Sequence, residues 1–146
     1  MFKIEEVFAG WISILVTQNI DKYISFSNRI TLSYIEDVKY LLDKLFLLKD
    51  KQDKEYEFDA ENTFYNIKTS RKGETLKISI KYIEDDLDVL PQEYSFDYHD
   101  FLKEYVEEME SQKESYLKNF AYLYEVDESY EWDNKYYKKI KEEIHD

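Results

Sequence analysis

Leu76, Ile78, Ile80 and Tyr82 alternate with Lys77, Ser79 and Lys81. Successive side chains of a strand leave on opposite faces, so this spacing predicts a strand with one face on a core and the other in water. The same period runs through KEYEFDAEN (54–62). There Glu55, Glu57, Asp59 and Glu61 hold the odd positions, and Tyr56, Phe58 and Ala60 the even ones. Tyr94, Phe96 and Tyr98 repeat it once more. A chain that carries this period several times needs a sheet with one apolar face, and something apolar to cover it.

The other strands and their cover are read from shorter signals. Trp11-Ile12-Ser13-Ile14-Leu15-Val16-Thr17 is rich in β-branched residues and predicts a strand, bent at Gly10. A turn near Asn19 and Asp21 leads to a second strand, Tyr23–Ser27, in a hairpin with the first. Phe64-Tyr65-Asn66-Ile67 is expected to prolong the 55–60 ribbon past a kink at Asn62, and Arg71-Lys72-Gly73-Glu74 to form a turn.

Helical spacing begins where Ser33-x-x-Glu36 forms a capping-box pattern ahead of Ile35, Val38, Leu42 and Leu45, widened by Leu41 and Leu48. This predicts a helix near 33–48. Asp100 is placed to cap a long helix near 100–124, with Phe101, Tyr105, Met109, Tyr116, Phe120 and Leu123 toward one face. A short C-terminal helix follows from Asp133, striped by Tyr137, Ile140 and Ile144. With only two Gly and one Pro in 146 residues, long elements are expected. The fold class is α+β: a single domain, 1–146, with an antiparallel sheet of about five to six strands under helices.

Several function classes are disfavoured. The chain has no Cys, so disulfides and thiolate metal sites are excluded. The first residues, MFKIEEVFAGWISILV, lack a basic lead and are broken by Glu5 and Glu6, which argues against a signal peptide. Apolar runs are far too short for a membrane span, and a cytoplasmic location is expected. No G-x-S-x-G elbow or glycine-rich phosphate loop occurs. Arg29 and Arg71 are the only arginines to hold phosphate, and among 33 acids a carboxylate pair has no diagnostic value. EDDLD (84–88) lacks the spacing and glycine of a calcium loop. His99 and His145 stand far apart, the first as a partly exposed packing residue and the second in a tail. No enzyme activity, cofactor or metal site is expected.

Charge points toward a partner. The net charge is −13; residues 51–100 and 101–146 each carry 7 basic and 13 acidic side chains, against 6 and 7 in residues 1–50. Such a chain is repelled by nucleic acid and anionic membranes and attracted to basic proteins. The candidate partner-binding residues are the row Glu55, Glu57, Asp59 and Glu61, and the loop residues Glu84, Asp85, Asp86 and Asp88. Tyr130 and Trp132 join them, set among Glu125, Asp127, Glu128, Glu131 and Asp133. Like charges along one strand repel by up to about 1 kcal/mol per close pair and return no packing.

ITLSYIEDVKYLLDKLFLL (30–48) followed by YEFDAENTFYNIKTSRKGETLKISIKYIE (56–84) resembles small bacterial immunity proteins of polymorphic toxin systems. The matching features are Ser33-Tyr34-x-x-Asp37 before a Leu-rich helix, Glu61, Leu76-x-Ile78-x-Ile80 and Tyr130-x-Trp132. Where those proteins carry a proline after the Trp, this chain has Asp133-Asn134-Lys135. The resemblance implies neutralisation of a cognate, basic toxin by direct binding, at its active site or against its substrate. A structural or regulatory adaptor whose acidity serves solubility, and an acidic DNA mimic, are the competing readings.

Overall fold

A computed structural model describes residues 1–19, 21–31, 36–60, 63–83, 90–123 and 130–145. The element order is β1 (Phe2–Phe8), β2 (Trp11–Asn19), β3 (Lys22–Arg29), α1 (Val38–Phe46), β4 (Asp53–Asp59), β5 (Phe64–Lys72), β6 (Thr75–Ile83), β7 (Gln92–Asp97), α2 (Tyr98–Ser111), α3 (Lys113–Leu123) and α4 (Lys135–His145). The class is α+β, and the sheet is divided. Strands β1-β2-β3 form one antiparallel meander and β4-β5-β6-β7 another, in place of one sheet of about five to six strands. The division falls where the chain leaves β3: Thr31 bridges Asp37, and the Val38 amide donates to Ile30. The chain then enters α1 before the second meander begins.

Two departures come from turns. Ala9 and Gly10 both have positive φ, 51° and 83°, with Phe8 opposite Trp11, the backbone of a tight two-residue hairpin turn. Gly10 therefore ends a hairpin and does not bend a strand, and β1 is its other arm. The alternation of β1 breaks at a register shift between Ile4 and Glu6, so its period does not show in the sequence. Phe64–Lys72 does not prolong β4 either. It folds back on it, with Asp59 opposite Phe64 and Asp53 opposite Ser70.

The apolar faces of both meanders and the helices share one core. Phe26 of β3 meets Tyr65 of β5 at 5.1 Å between ring centroids, and the Tyr82 hydroxyl donates to the Ser25 carbonyl. Phe2, Phe46, Phe101 and Tyr105 form an edge-to-face ring cluster where β1, α1 and α2 converge, with centroids 4.9–6.1 Å apart. Among the described residues no helix is long and apolar enough to cross a membrane.

Helix ends depart from expectation for identifiable reasons. The first helix begins at Val38 and ends at Phe46, a shorter span than 33–48; positions 32–35, Ser33 and Ile35 among them, lie outside the described residues. Asp37 sits at the N-cap, where its Oδ2 accepts the hydroxyls of Tyr116 and Tyr130. The α1 C-terminus has no glycine. Its last carbonyls are satisfied by side chains from elsewhere: Lys54 Nζ on Lys44 and Leu47, Thr69 Oγ1 on Leu45, and the Tyr98 hydroxyl on Phe46. Tyr98 opens α2 and is not the end of a strand; Asp97, not Asp100, is the cap, accepting the Asp100 amide at 3.0 Å. The long helix is two, broken at Gln112, where the Ser111 hydroxyl returns to the Glu108 carbonyl at 2.8 Å.

Candidate docking surface

β4 ends the strand order of its sheet. Glu55, Glu57 and Asp59 are exposed along it, while Tyr56 is half-buried and Phe58 buried. The anchoring is aromatic: Phe58 stacks on Tyr65 at 5.2 Å and meets Tyr56 edge-on at 4.9 Å. Asp53 extends the outward row by one position.

The register shows what surrounds this row. Glu55 lies opposite Lys68, Glu57 opposite Asn66 and Asp59 opposite Phe64. Glu55 receives the Asn66 amide at 2.9 Å, with Lys68 Nζ at 3.8 Å. Lys77 and Lys81 continue a basic strip across β6, and Glu93 and Asp97 return the charge to negative on β7. The outer face is therefore striped, acidic along both outer strands and basic along the middle. Phe64 and Ile83 face each other at the end of the stripe beside Asp59, 41% and 40% exposed. They are large apolar side chains on an otherwise polar and charged face.

Glu61 and Glu84, Asp85, Asp86 and Asp88 lie outside the described residues. Asp59, Phe64 and Ile83 are successive neighbours across one end of the sheet. Tyr130 and Trp132 belong elsewhere. Trp132 is only 6% exposed and Tyr130 is half-buried, so the indole is core and does not present a contact face. Their setting among acids reads in the sequence as a further contact patch; in the fold their polar atoms are spent internally.

They are spent on a buried polar network that sequence reading missed. Lys39 Nζ donates to Asp43 Oδ2 and to the Trp132 carbonyl, each at 2.7 Å, and lies 3.5 Å from the Tyr137 ring centroid. Asp43 also accepts the Tyr105 hydroxyl at 2.6 Å and the Asn134 side-chain amide at 2.8 Å. Tyr116 donates to Asp37 while accepting the Lys39 backbone amide. Burial pushes Asp43 up to about 6, although Lys39, Tyr105 and Asn134 work against it. Burial also raises Asp37 and lowers Lys39. The available signal was an i,i+4 Lys–Asp pair inside a helix too apolar to spare a wet face for it. With every group engaged, the network fastens the segment from Tyr130 onward to α1.

Among the described residues no three His, Asp or Glu side chains converge to hold a metal ion. No family model, curated protein or solved structure matches this chain.

Proposed function

We propose that this chain is an acidic protein-binding module that acts in the cytoplasm as an immunity protein, neutralising a basic toxin by docking it on the outer face of the β4–β7 sheet. The reading is carried by one observation: Glu55, Glu57 and Asp59 stand exposed in a row on an outer strand whose alternate residues are anchored in the core. Phe64 and Ile83 beside the row supply the apolar contact that charge alone lacks. Charge steers the encounter and sets its rate, and packed apolar area holds the complex.

The competing reading is a solvated face on an adaptor, favoured by the Lys68 ammonium beside Glu55. Co-purification from the native host with mass spectrometry of the captured basic protein supplies the partner. Its association rate with wild type is then compared with Glu55→Gln/Glu57→Gln/Asp59→Asn. A docking row predicts a rate at least about tenfold slower at low salt, converging on wild type as ionic strength rises. Equal rates at low salt would leave the row as a solvated surface.

A further inference from the structure

Besides its outward face, β4 presents a backbone edge, because it ends the strand order of its sheet. In an antiparallel pair, residues alternate between those that exchange bonds with the partner strand and those whose N–H and C=O point away. The Arg71 amide donates to Gln52 and the Ala60 amide to Thr63, which with the register assigns the even positions of β4 to β5. The N–H and C=O of Glu55 and Glu57 therefore point to the open edge, and among the described residues no backbone group bonds them there.

A groove of about 250 Å³ runs between this edge and α1. Leu41, Leu45 and Tyr56 line it, with Lys44 and Lys54 alongside. An added strand would alternate its own side chains between two sides. One set would enter the groove and the other would lie over the acidic row, at the matching spacing of about 7 Å. We propose that β4 accepts an extended segment of a basic partner as an additional strand, its sequence alternating an apolar residue with Lys or Arg. This rests on the docking role of the acidic row and specifies how the row is used. A second copy of this chain fits poorly, because two β4 edges would set carboxylate rows against each other.

The test uses a short synthetic peptide alternating lysine with valine, and a control of equal composition with the lysines grouped at one end. Binding is read by fluorescence anisotropy at low salt, and amide hydrogen exchange is read residue by residue. The alternating peptide should bind at least about tenfold tighter than the control and slow exchange at Glu55 and Glu57. Glu57→Pro deletes an edge N–H without removing a β4–β5 bond, and should abolish binding while the melting temperature is retained. If that variant does not fold, N-methylation of alternate peptide amides, which keeps charge and side chains, should abolish binding to the wild-type protein. Equal binding of the two peptides, or unprotected Glu55 and Glu57 amides in the complex, would overturn the added strand. The docking reading would still stand if charge removal on the row slowed the natural partner while these amides stayed unprotected; it falls if neither responds.

Discussion

Lys39 and Asp43 form an ion pair at 2.7 Å with neither side chain reaching solvent. A surface pair of this i,i+4 type contributes a few tenths of a kcal/mol. Buried, each ion has lost several kcal/mol of hydration, and the attraction repays it only when the remaining donors and acceptors are satisfied. Here they are, through the Trp132 carbonyl, Asn134 and the Tyr105 hydroxyl.

Removing one partner should therefore cost far more than removing both. Asp43→Ala strands a buried ammonium and is expected to lose about 3–5 kcal/mol in urea unfolding. Lys39→Met combined with Asp43→Leu should recover part of that loss. The remainder reflects the Tyr105 hydroxyl and the Asn134 amide, which lose their acceptor, and the Trp132 carbonyl, which loses its donor. Additive losses would show that the two groups are not coupled.

The same pair gives stability an unusual pH dependence. Asp43 titrates at about 6 when folded, above its ordinary value of 3.8, so the folded state holds the proton more tightly. Its contribution is fully present below about 4 and lost as pH rises through about 6. Asp37, also raised by burial, acts in the same direction. Lys39, lowered by burial, loses its contribution as pH falls through its folded value, below the ordinary 10.5. Subtracting Asp43→Asn isolates one group: wild-type stability relative to that variant should fall by about 1 kcal/mol per pH unit across the window. A flat difference between pH 4 and 6 would contradict the assignment.

Asn134 joins this network to the start of α4. Its Oδ1 accepts the Tyr136 and Tyr137 amides at 3.0 Å, and its Nδ2 donates to Asp43. Asn134→Ala removes the cap and should cost about 1–2 kcal/mol, with faster amide exchange at Tyr136 and Tyr137. Asn134→Asp keeps the cap but places a second carboxylate against Asp43, so it should restore the amides' protection without restoring stability at neutral pH.

Elements with an uninterrupted period were legible. Thr75–Ile83 and Asp53–Asp59 fall within two residues of their expected positions, and buried Leu42 and Leu45 confirm the helical stripe. Failures came where a local feature broke the period or a distant side chain decided an end. The shift between Ile4 and Glu6 hid β1, and the long helix breaks at Gln112 with no glycine or proline to mark the place. Asp37 resembles part of a helix start, yet its carboxylate bonds Tyr116, seventy-nine positions away. The outward row could be read from alternation alone. Its place on an outer strand could not, because strand order depends on pairings between segments far apart in sequence.

Tyr98 gives the last prediction, since it closes the end of α1 from another element. Its hydroxyl accepts the Leu48 amide at 2.8 Å and donates to the Phe46 carbonyl at 2.9 Å, fully buried. Arg71 lies 4.1 Å from the ring centroid and itself donates to Leu48 O. Tyr98→Phe keeps the ring and its stacking on the guanidinium but leaves a buried amide without its acceptor. The expected cost is about 1–3 kcal/mol, with the Leu48 amide exchanging faster than in wild type. Because α1 carries the paired Lys39 and Asp43, a loosened C-terminus should propagate poorly past Leu45, whose carbonyl Thr69 still holds. Exchange at Leu41 and Leu42 should therefore change only by the global loss of stability. A selective rise there would mean that Tyr98, and not the buried ion pair, holds the helix in place.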